Sequence, residues 1–238
     1  MSNGIMIVKR NGNREQLNID KIHKVVEHAC EGLAGVSSSL IEMNANIQFY
    51  DGMSTDEIQE ILVRSANDLI SLDAPNYQFA AARLLSYGLY KQVFGQFESV
   101  SFIDIIKANI ERKVYDSSIL DFYTEEEIAR MDSYIHHKRD ENFTYAGIRQ
   151  VVDKYLVQDR SSGEIFETPQ FMYMMIAATL FHNYPKEIRM HYVRRYYDAT
   201  SLFKVNIPTP VMAGVRTPIR QFASCVLVDS DDTLDSIF

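Results

Sequence analysis

At 238 residues with a formal net charge of -8, the chain is long enough to bury one or two cores, and its acidic balance argues against non-specific nucleic-acid binding by the surface as a whole. Hydrophobic content of 46% and charged content of 24% are those of an ordinary soluble globular protein. The most apolar stretch, residues 171–181, is too short to span a bilayer and reads as a buried helix. The start of the chain has no apolar run of signal-peptide type, and two distant cysteines suggest a reducing, cytoplasmic setting.

In chain order, residues 5–10 read as a strand, Asn11-Gly12 as a hairpin turn and residues 14–17 as a second strand. Asn18 caps a helix whose apolar positions Ile19, Ile22, Val25, Val26, Ala29 and Leu33 fall at helical spacing. A second helical segment covers residues 39–46. Ser54 with Glu57 makes a capping box, opening a helix with Ile58, Ile61, Leu62, Ala66, Leu69 and Ile70 on one face. Asp73-Ala74-Pro75 breaks it, and a fourth helix over residues 76–93 ends at Gly95. This predicts a hairpin-capped four-helix unit, with a domain boundary at residues 95–100.

Residues 101–201 read as mostly helical. Ser101 with Asp104 and Thr124 with Glu127 look like further capping boxes. Residues 155–159 and 164–167 flank Arg160-Ser161-Ser162-Gly163, a hairpin turn. Thr168-Pro169 starts the apolar helix and Pro185 opens another through Tyr197. Cys30 belongs with the core of the first helix. His136-His137 lacks the helical spacing of metal ligands and reads as surface, so no metal site is expected. The tyrosines of residues 192–197 read as packing.

Towards the end, Pro208, Pro210 and Pro218 forbid a long helix and lead into a short β-type run, residues 222–228, with Cys225 directly after Ser224. In an apolar run a cysteine is more often a small buried residue than a reactive one. Asp232 is placed to cap a helix opening at Thr233-Leu234. The chain stops at Phe238, too soon to surround the strand. A piece or one half of a split subunit is therefore expected, with an unsupported, aggregation-prone tail after about Val205.

Two ordered patterns carry a family resemblance. Pro-Thr-Pro at 208–210, Arg-Thr-Pro at 216–218 and Ser224-Cys225 are similar, in order and spacing, to the large (alpha) subunit of class I ribonucleoside-diphosphate reductases. Val8-Lys9-Arg10-Asn11-Gly12, Arg14-Glu15 and residues 17–22 resemble an ATP-cone, the regulatory nucleotide-binding module at the start of many such subunits. Charge clustering alone reads more readily as solvated surface cations, and the ordered pattern reverses that. Yet Lys9, Arg10 and Lys21 place positive charge at a hairpin edge and a helix N-terminus, where unpaired N–H groups suit a phosphate.

The resemblance implies a mainly α chain: an ATP-cone over 1–95, a helical region over 96–205, and the start of a ten-stranded α/β barrel over 206–238. It implies that Lys9, Arg10, Lys21 and Lys91 contact phosphates of ATP or dATP. Glu15, Gln16, Leu17, Asn18, Ile19 and Asp20 would surround the nucleotide, with Thr55 as a further contact. Gln59 stands where many members have histidine. It hydrogen-bonds but cannot carry charge, so inhibition by dATP would be weakly transmitted.

At the other end, Cys225 is implied as one thiol of a redox-active pair, and Thr209 and Ser224 as substrate contacts. Asp232, Thr233 and Leu234 are implied in a dNTP specificity site. The implied partners are the remaining barrel, a radical-generating di-metal small subunit, further copies of the large subunit and a thioredoxin- or glutaredoxin-type reductant, with no membrane or nucleic acid. A transcriptional regulator built on the ATP-cone needs a four-cysteine zinc ribbon, which two cysteines exclude. The alternative is a stand-alone module that senses ATP or dATP without catalysis.

Overall fold

The computed structural model describes residues 5–10, 12–46 and 48–238. Strands β1 (Met6–Val8) and β2 (Arg14–Gln16) pair antiparallel, with Met6 opposite Gln16 and Val8 opposite Arg14. Gly12 sits in the turn at φ 80°, a backbone that strains any residue with a side chain. Asn11, the other half of the expected turn, lies outside the described residues. The Val8 N–H donates to the Met53 carbonyl at 2.9 Å and the Gly52 N–H to the Met6 carbonyl at 2.7 Å, so residues 52–54 cover the edge of β1.

Asn18 begins α1 (Ile19–Cys30) as expected, its side chain accepting the Lys21 N–H at 3.0 Å. Ile22, Val26 and Ala29 face inward while Ile19 stays exposed. Helix α2 (Ser38–Asn46) follows, and then α3 (Thr55–Asn67) with its complete capping box: Glu57 N–H to Ser54 Oγ at 3.1 Å and Ser54 N–H to Glu57 Oε2 at 2.7 Å. Leu69 and Ile70 lie beyond α3, because the Asp68 N–H already closes on the Arg64 and Ala66 carbonyls. The long α4 (Tyr77–Phe94) packs on α1 and α3 and ends at Gly95 in the left-handed conformation.

The second half contains α5 (Phe102–Glu111), α6 (Ile119–Phe122), α7 (Glu125–Tyr134), a 3-10 turn over His137–Asn142, α8 (Tyr145–Lys154), α9 (Pro169–Phe181) and α10 (Lys186–Ser201). After these come α11 (Thr209–Gly214) and α12 (Leu234–Ile237). The Thr124–Glu127 box forms as expected. The Ser101–Asp104 box does not: Ser101 makes no side-chain cap, the Asp104 N–H donates to the Ser101 carbonyl at 3.1 Å, and Asp132 of α7 takes the Phe102 N–H at 3.3 Å. The hairpin at 158–165 is reduced to one bridge, Gln158 with Ile165, closed by Asp159 N–H to Glu164 O at 2.8 Å.

Helix α9 is buried on every face from Pro169 to Ala178, which fits its unbroken apolar sequence. It forms the axis of the second half, contacted by α10, α11 and the 3-10 turn. The α4 helix spans both halves, because α8 and the 3-10 turn also pack on it. Of the histidine pair expected at the surface, His136 is exposed but His137 is largely buried. Its ring meets Phe171 at 4.9 Å, Phe94 at 5.7 Å and Tyr90 at 6.2 Å between centroids, and burial pushes the imidazole down to about 4, so it is neutral.

Three expectations at the C-terminal end are corrected. The segment after Val205 is not unsupported at once: Ile207, Met212 and Arg216 are buried, and α11 packs on α9. Residues 222–228 form no strand among the described residues, and Val226, Leu227 and Val228 are exposed, because no neighbouring strand supplies ladder partners. Thr233, not Asp232, caps α12, its hydroxyl accepting the Ser236 N–H at 3.3 Å.

Candidate functional site

The basic residues of the hairpin, α1 and α4 come together at one end of the first half. Lys9, just past β1, pairs with Glu15 of β2 at 3.0 Å. Arg10 reaches across to Asp56 in the first turn of α3, with contacts of 2.8 and 2.6 Å. Lys21 lies in the first turn of α1 and Lys91 in the last turn of α4. Among the described residues no carboxylate pairs with either of these two lysines. The Lys91 ammonium stands 4.2 Å over the ring of Phe97.

The electrostatics record this convergence. Partial burial first, then the fields of Arg10, Lys9 and Lys21, hold the Lys91 ammonium below its usual range. The Lys9 hydrogen bond, with smaller help from the charges of Lys9 and Lys21, holds the Glu15 carboxyl below its own. Four cations therefore share one region in which Glu15 and Asp56 are each already paired, with Asp20 beside Lys21 in the first turn of α1. Such a site favours an added anion, and the first turn of α1 supplies N–H groups beside it.

The other residues expected here lie on β2, at its link to α1, and at the starts of α1 and α3. Gln16 ends β2 opposite Met6, and the Leu17 N–H donates to the Ile5 carbonyl at 2.8 Å, fixing the lead-in to α1. Asn18 is committed as the α1 cap and Asp20 lies in its first turn. Thr55 opens α3 directly after the capping Ser54.

Gln59 is directed elsewhere. Its amide donates to the Leu84 carbonyl of α4 at 2.6 Å, and its stem covers Gly88, where a Cβ would come within 2.9 Å of Gln59 Cγ. Gln59 and Gly88 line a 480 Å³ groove with Arg10, Asp56, Glu60 and Arg149. Arg149 of α8 pairs with Asp153 on its own helix at 3.3 Å and reaches across the groove to Glu60 of α3 at 3.8 Å.

The C-terminal candidates are dispersed. Thr209 is the first residue of α11 and its hydroxyl is 3.1 Å from the Tyr155 hydroxyl. It borders a 700 Å³ cavity with Tyr155, Tyr173, Asn206 and Met212. Ser224 and Cys225 are exposed, their side chains 3.8 Å apart. Asp232 and Leu234 are exposed in the final segment. Cys30, the other thiol, lies in α1, where burial pushes it up to about 11 and leaves it unreactive.

The reading of single residues missed what holds Thr209 in place. Arg216, of the Arg-Thr-Pro segment, has a fully buried side chain paired with the equally buried Glu167. It also donates to the Tyr155 carbonyl at 2.8 Å. Glu167 in turn accepts the Tyr115 hydroxyl at 2.5 Å and the Val157 N–H at 2.7 Å. Tyr155 thus meets this end of the chain twice, through its hydroxyl to Thr209 at the start of α11 and through its carbonyl to Arg216 just beyond it. The sequence signal available was a glutamate just before Thr168-Pro169 in an apolar setting, where a charge requires a partner.

Comparison with known proteins matches these two regions separately. Residues 5–92 match the ATP cone domain, and residues 141–220 match the ribonucleotide reductase all-alpha domain. The chain is 51% identical over 237 residues to the ribonucleoside-diphosphate reductase 1 subunit alpha of Escherichia coli, covering 100% of this chain and 31% of that protein. It is 43% identical over 235 residues to the subunit alpha of Enterobacteria phage T4, covering 98% of this chain and 31% of the relative. For the Helicobacter pylori subunit alpha the identity is 37%, over 98% of this chain and 29% of the relative. The chain thus spans under a third of the length of the curated relatives it matches.

Proposed function

We propose that this chain, whose entire length matches ribonucleoside-diphosphate reductase alpha subunits, is the nucleotide-sensing and partly catalytic portion of such an enzyme. The observation that carries the proposal is the convergence of Lys9, Arg10, Lys21 and Lys91 within the ATP cone match, where Lys91 is held below its usual range. The triphosphate of ATP or dATP is the anion that this cation cluster takes. Lys21 and Lys91 meet it as unpaired cations, while Lys9 and Arg10 exchange part of their pairing with Glu15 and Asp56 for phosphate oxygens. Glu15 and Asn18 face the base or sugar, and Gln16, Leu17, Ile19, Asp20 and Thr55 complete the surround. Gln59, tied to α4 and uncharged, transmits dATP inhibition weakly.

The division at residues 95 and 205 belongs to the same reading, with residues 206–238 entering the barrel. There Thr209 and Ser224 contact a ribonucleoside diphosphate. Cys225 and a second thiol outside this chain are oxidised to a disulfide. They deliver two electrons and two protons as the 2′-hydroxyl departs as water. A di-metal small subunit supplies the radical and a thioredoxin- or glutaredoxin-type protein re-reduces the disulfide. Asp232, Thr233 and Leu234 contribute to binding the dNTP that selects the substrate.

Calorimetry of ATP and dATP binding to the chain and to Lys21→Ala tests the nucleotide site. Losing a charge-assisted phosphate contact costs about 1.5–3 kcal/mol, roughly ten- to a hundredfold in affinity. Undiminished binding by Lys21→Ala overturns the assignment.

A further inference from the structure

We propose that Asp140 is a proton-operated latch at the seam between α4 and the α9–α10 pair, switching the Tyr90 hydroxyl between a side-chain partner and a backbone partner. Asp140, in the 3-10 turn, is fully buried. Its Oδ1 accepts from the Gln170 amide of α9 at 2.8 Å and its Oδ2 accepts from the Tyr90 hydroxyl of α4 at 2.7 Å. Among the described residues no cation pairs with it. The neighbouring Arg139 turns away to Asp198 at 2.8 Å and Ser201 Oγ at 2.6 Å, over the Tyr197 ring. The titratable groups that face it are Glu141 on its own turn, Tyr90 on α4, Tyr173 on α9 and Tyr197 on α10, while His137 of the same turn meets the Tyr90 ring edge-on. His137 is neutral and Glu141 repels the charge, so a buried carboxylate here is met only by neutral donors.

The hydrogen bonds around it restrict where a proton can go. The Tyr197 hydroxyl donates to Gln170 Oε1 at 2.6 Å and accepts the His136 N–H at 2.9 Å. Gln170 is therefore fixed with its amide N–H towards Asp140, and Oδ1 stays an acceptor. Freedom exists only at Oδ2. The Tyr90 hydroxyl lies 2.7 Å from that oxygen and also 3.2 Å from the His137 carbonyl. When Asp140 is ionised, Tyr90 donates to it. When Asp140 is protonated, its O–H donates to the Tyr90 oxygen and the Tyr90 proton turns to the His137 carbonyl. The proton is exchanged with solvent, and neither state leaves a buried donor unsatisfied.

Burial pushes the Asp140 carboxyl up to about 7, against the opposing hydrogen bonds from Gln170 and Tyr90, so both states are populated near neutral pH. Tyr90 stays neutral, since burial raises its hydroxyl well above the usual range. Because Lys91 is the next residue on α4, the switch acts on the helix that carries one of the four convergent cations. The latch goes beyond the nucleotide reading and does not depend on it.

Nuclear magnetic resonance of the full chain without nucleotide, with labelled Asp carboxyl and Tyr ring carbons, tests this across about pH 5 to pH 9. The Asp140 carboxyl is expected to titrate near 7, with the Tyr90 Cζ resonance following the same midpoint. In Tyr90→Phe the midpoint moves up, because the charged form loses a donor. The folded value lies above the unfolded one of about 3.9, so this group lowers stability progressively as pH rises between the two and leaves it level above. Asp140→Asn removes that slope from thermal melts. An Asp140 carboxyl titrating in the ordinary carboxylate range, or a Tyr90 resonance that does not follow it, overturns the latch. If Asp140→Asn fails to fold, the wild-type and Tyr90→Phe titrations decide alone.

Discussion

Arg216 and Glu167 present a single-residue question with a large expected answer. Both side chains are fully buried, and each holds further partners: Tyr115 and Val157 on the carboxylate, the Tyr155 carbonyl on the guanidinium. Removing one member of a buried pair leaves an uncompensated charge and costs about 3–5 kcal/mol, whereas removing both is much milder. Urea denaturation should therefore show Arg216→Met strongly destabilised and Glu167→Gln/Arg216→Met partly recovered. An Arg216→Met protein that unfolds like the wild type refutes the clamp. Cys225 makes a different claim at the same scale. In an enzyme completed with the remaining barrel, Cys225→Ser should abolish multiple turnover, because serine cannot form the disulfide that delivers electrons. Cys30→Ser should leave turnover nearly intact, since that thiol is half-buried in α1 and pushed up to about 11. Steady-state dCDP formation by both variants, with melting curves showing both folded, decides the redox role.

Between residue and molecule, the helix starts show which local signals survive tertiary packing. The boxes at Ser54 and Thr124 close because no other element competes for those N–H groups. At Ser101 the box stays open: the Asp104 N–H closes on the Ser101 carbonyl instead of its hydroxyl, and Asp132 from α7 takes the neighbouring Phe102 N–H. Thr124→Ala should therefore lower stability by about 1 kcal/mol, while Ser101→Ala should change it by less than about 0.5 kcal/mol. Equal losses in thermal melts of the two variants contradict the assignment. The run at 222–228 has strand composition, but strand formation is a property of a pair, and no partner strand is present among the described residues. The same dependence explains why the hairpin at 158–165 shrinks to a single bridge, while β1 gains cover from residues 52–54.

Over the whole molecule, α4 is the shared wall. One face packs on α1 and α3, another on α8 and the 3-10 turn, and its last turn carries Lys91. A nucleotide bound at the proposed site would therefore bear on a helix built into both halves. For the proposed enzyme, the chain with only a small subunit and a reductant should reduce no CDP, and adding the remaining barrel should restore reduction. Product formed without that addition refutes the proposed division of labour.

The sequence by itself determined the local features: the hairpin with Gly12, the Asn18, Ser54 and Thr124 caps, the stop at Gly95 and the buried α9. Each depends on contacts within a few residues or on an apolar pattern that any core accepts. It also carried the family pattern at both ends, including every cation of the proposed nucleotide site. Only the tertiary structure decided the clamp of Arg216 on Glu167, the tie of Gln59 to α4, the burial of His137 and the Asp140 network. Those partners lie 25 or more residues apart in the chain, as Gln59 and Leu84 do, or 49 apart, as Glu167 and Arg216 do. No periodicity encodes such pairings. They exist because a buried polar group must find a donor or acceptor wherever packing brings one within reach.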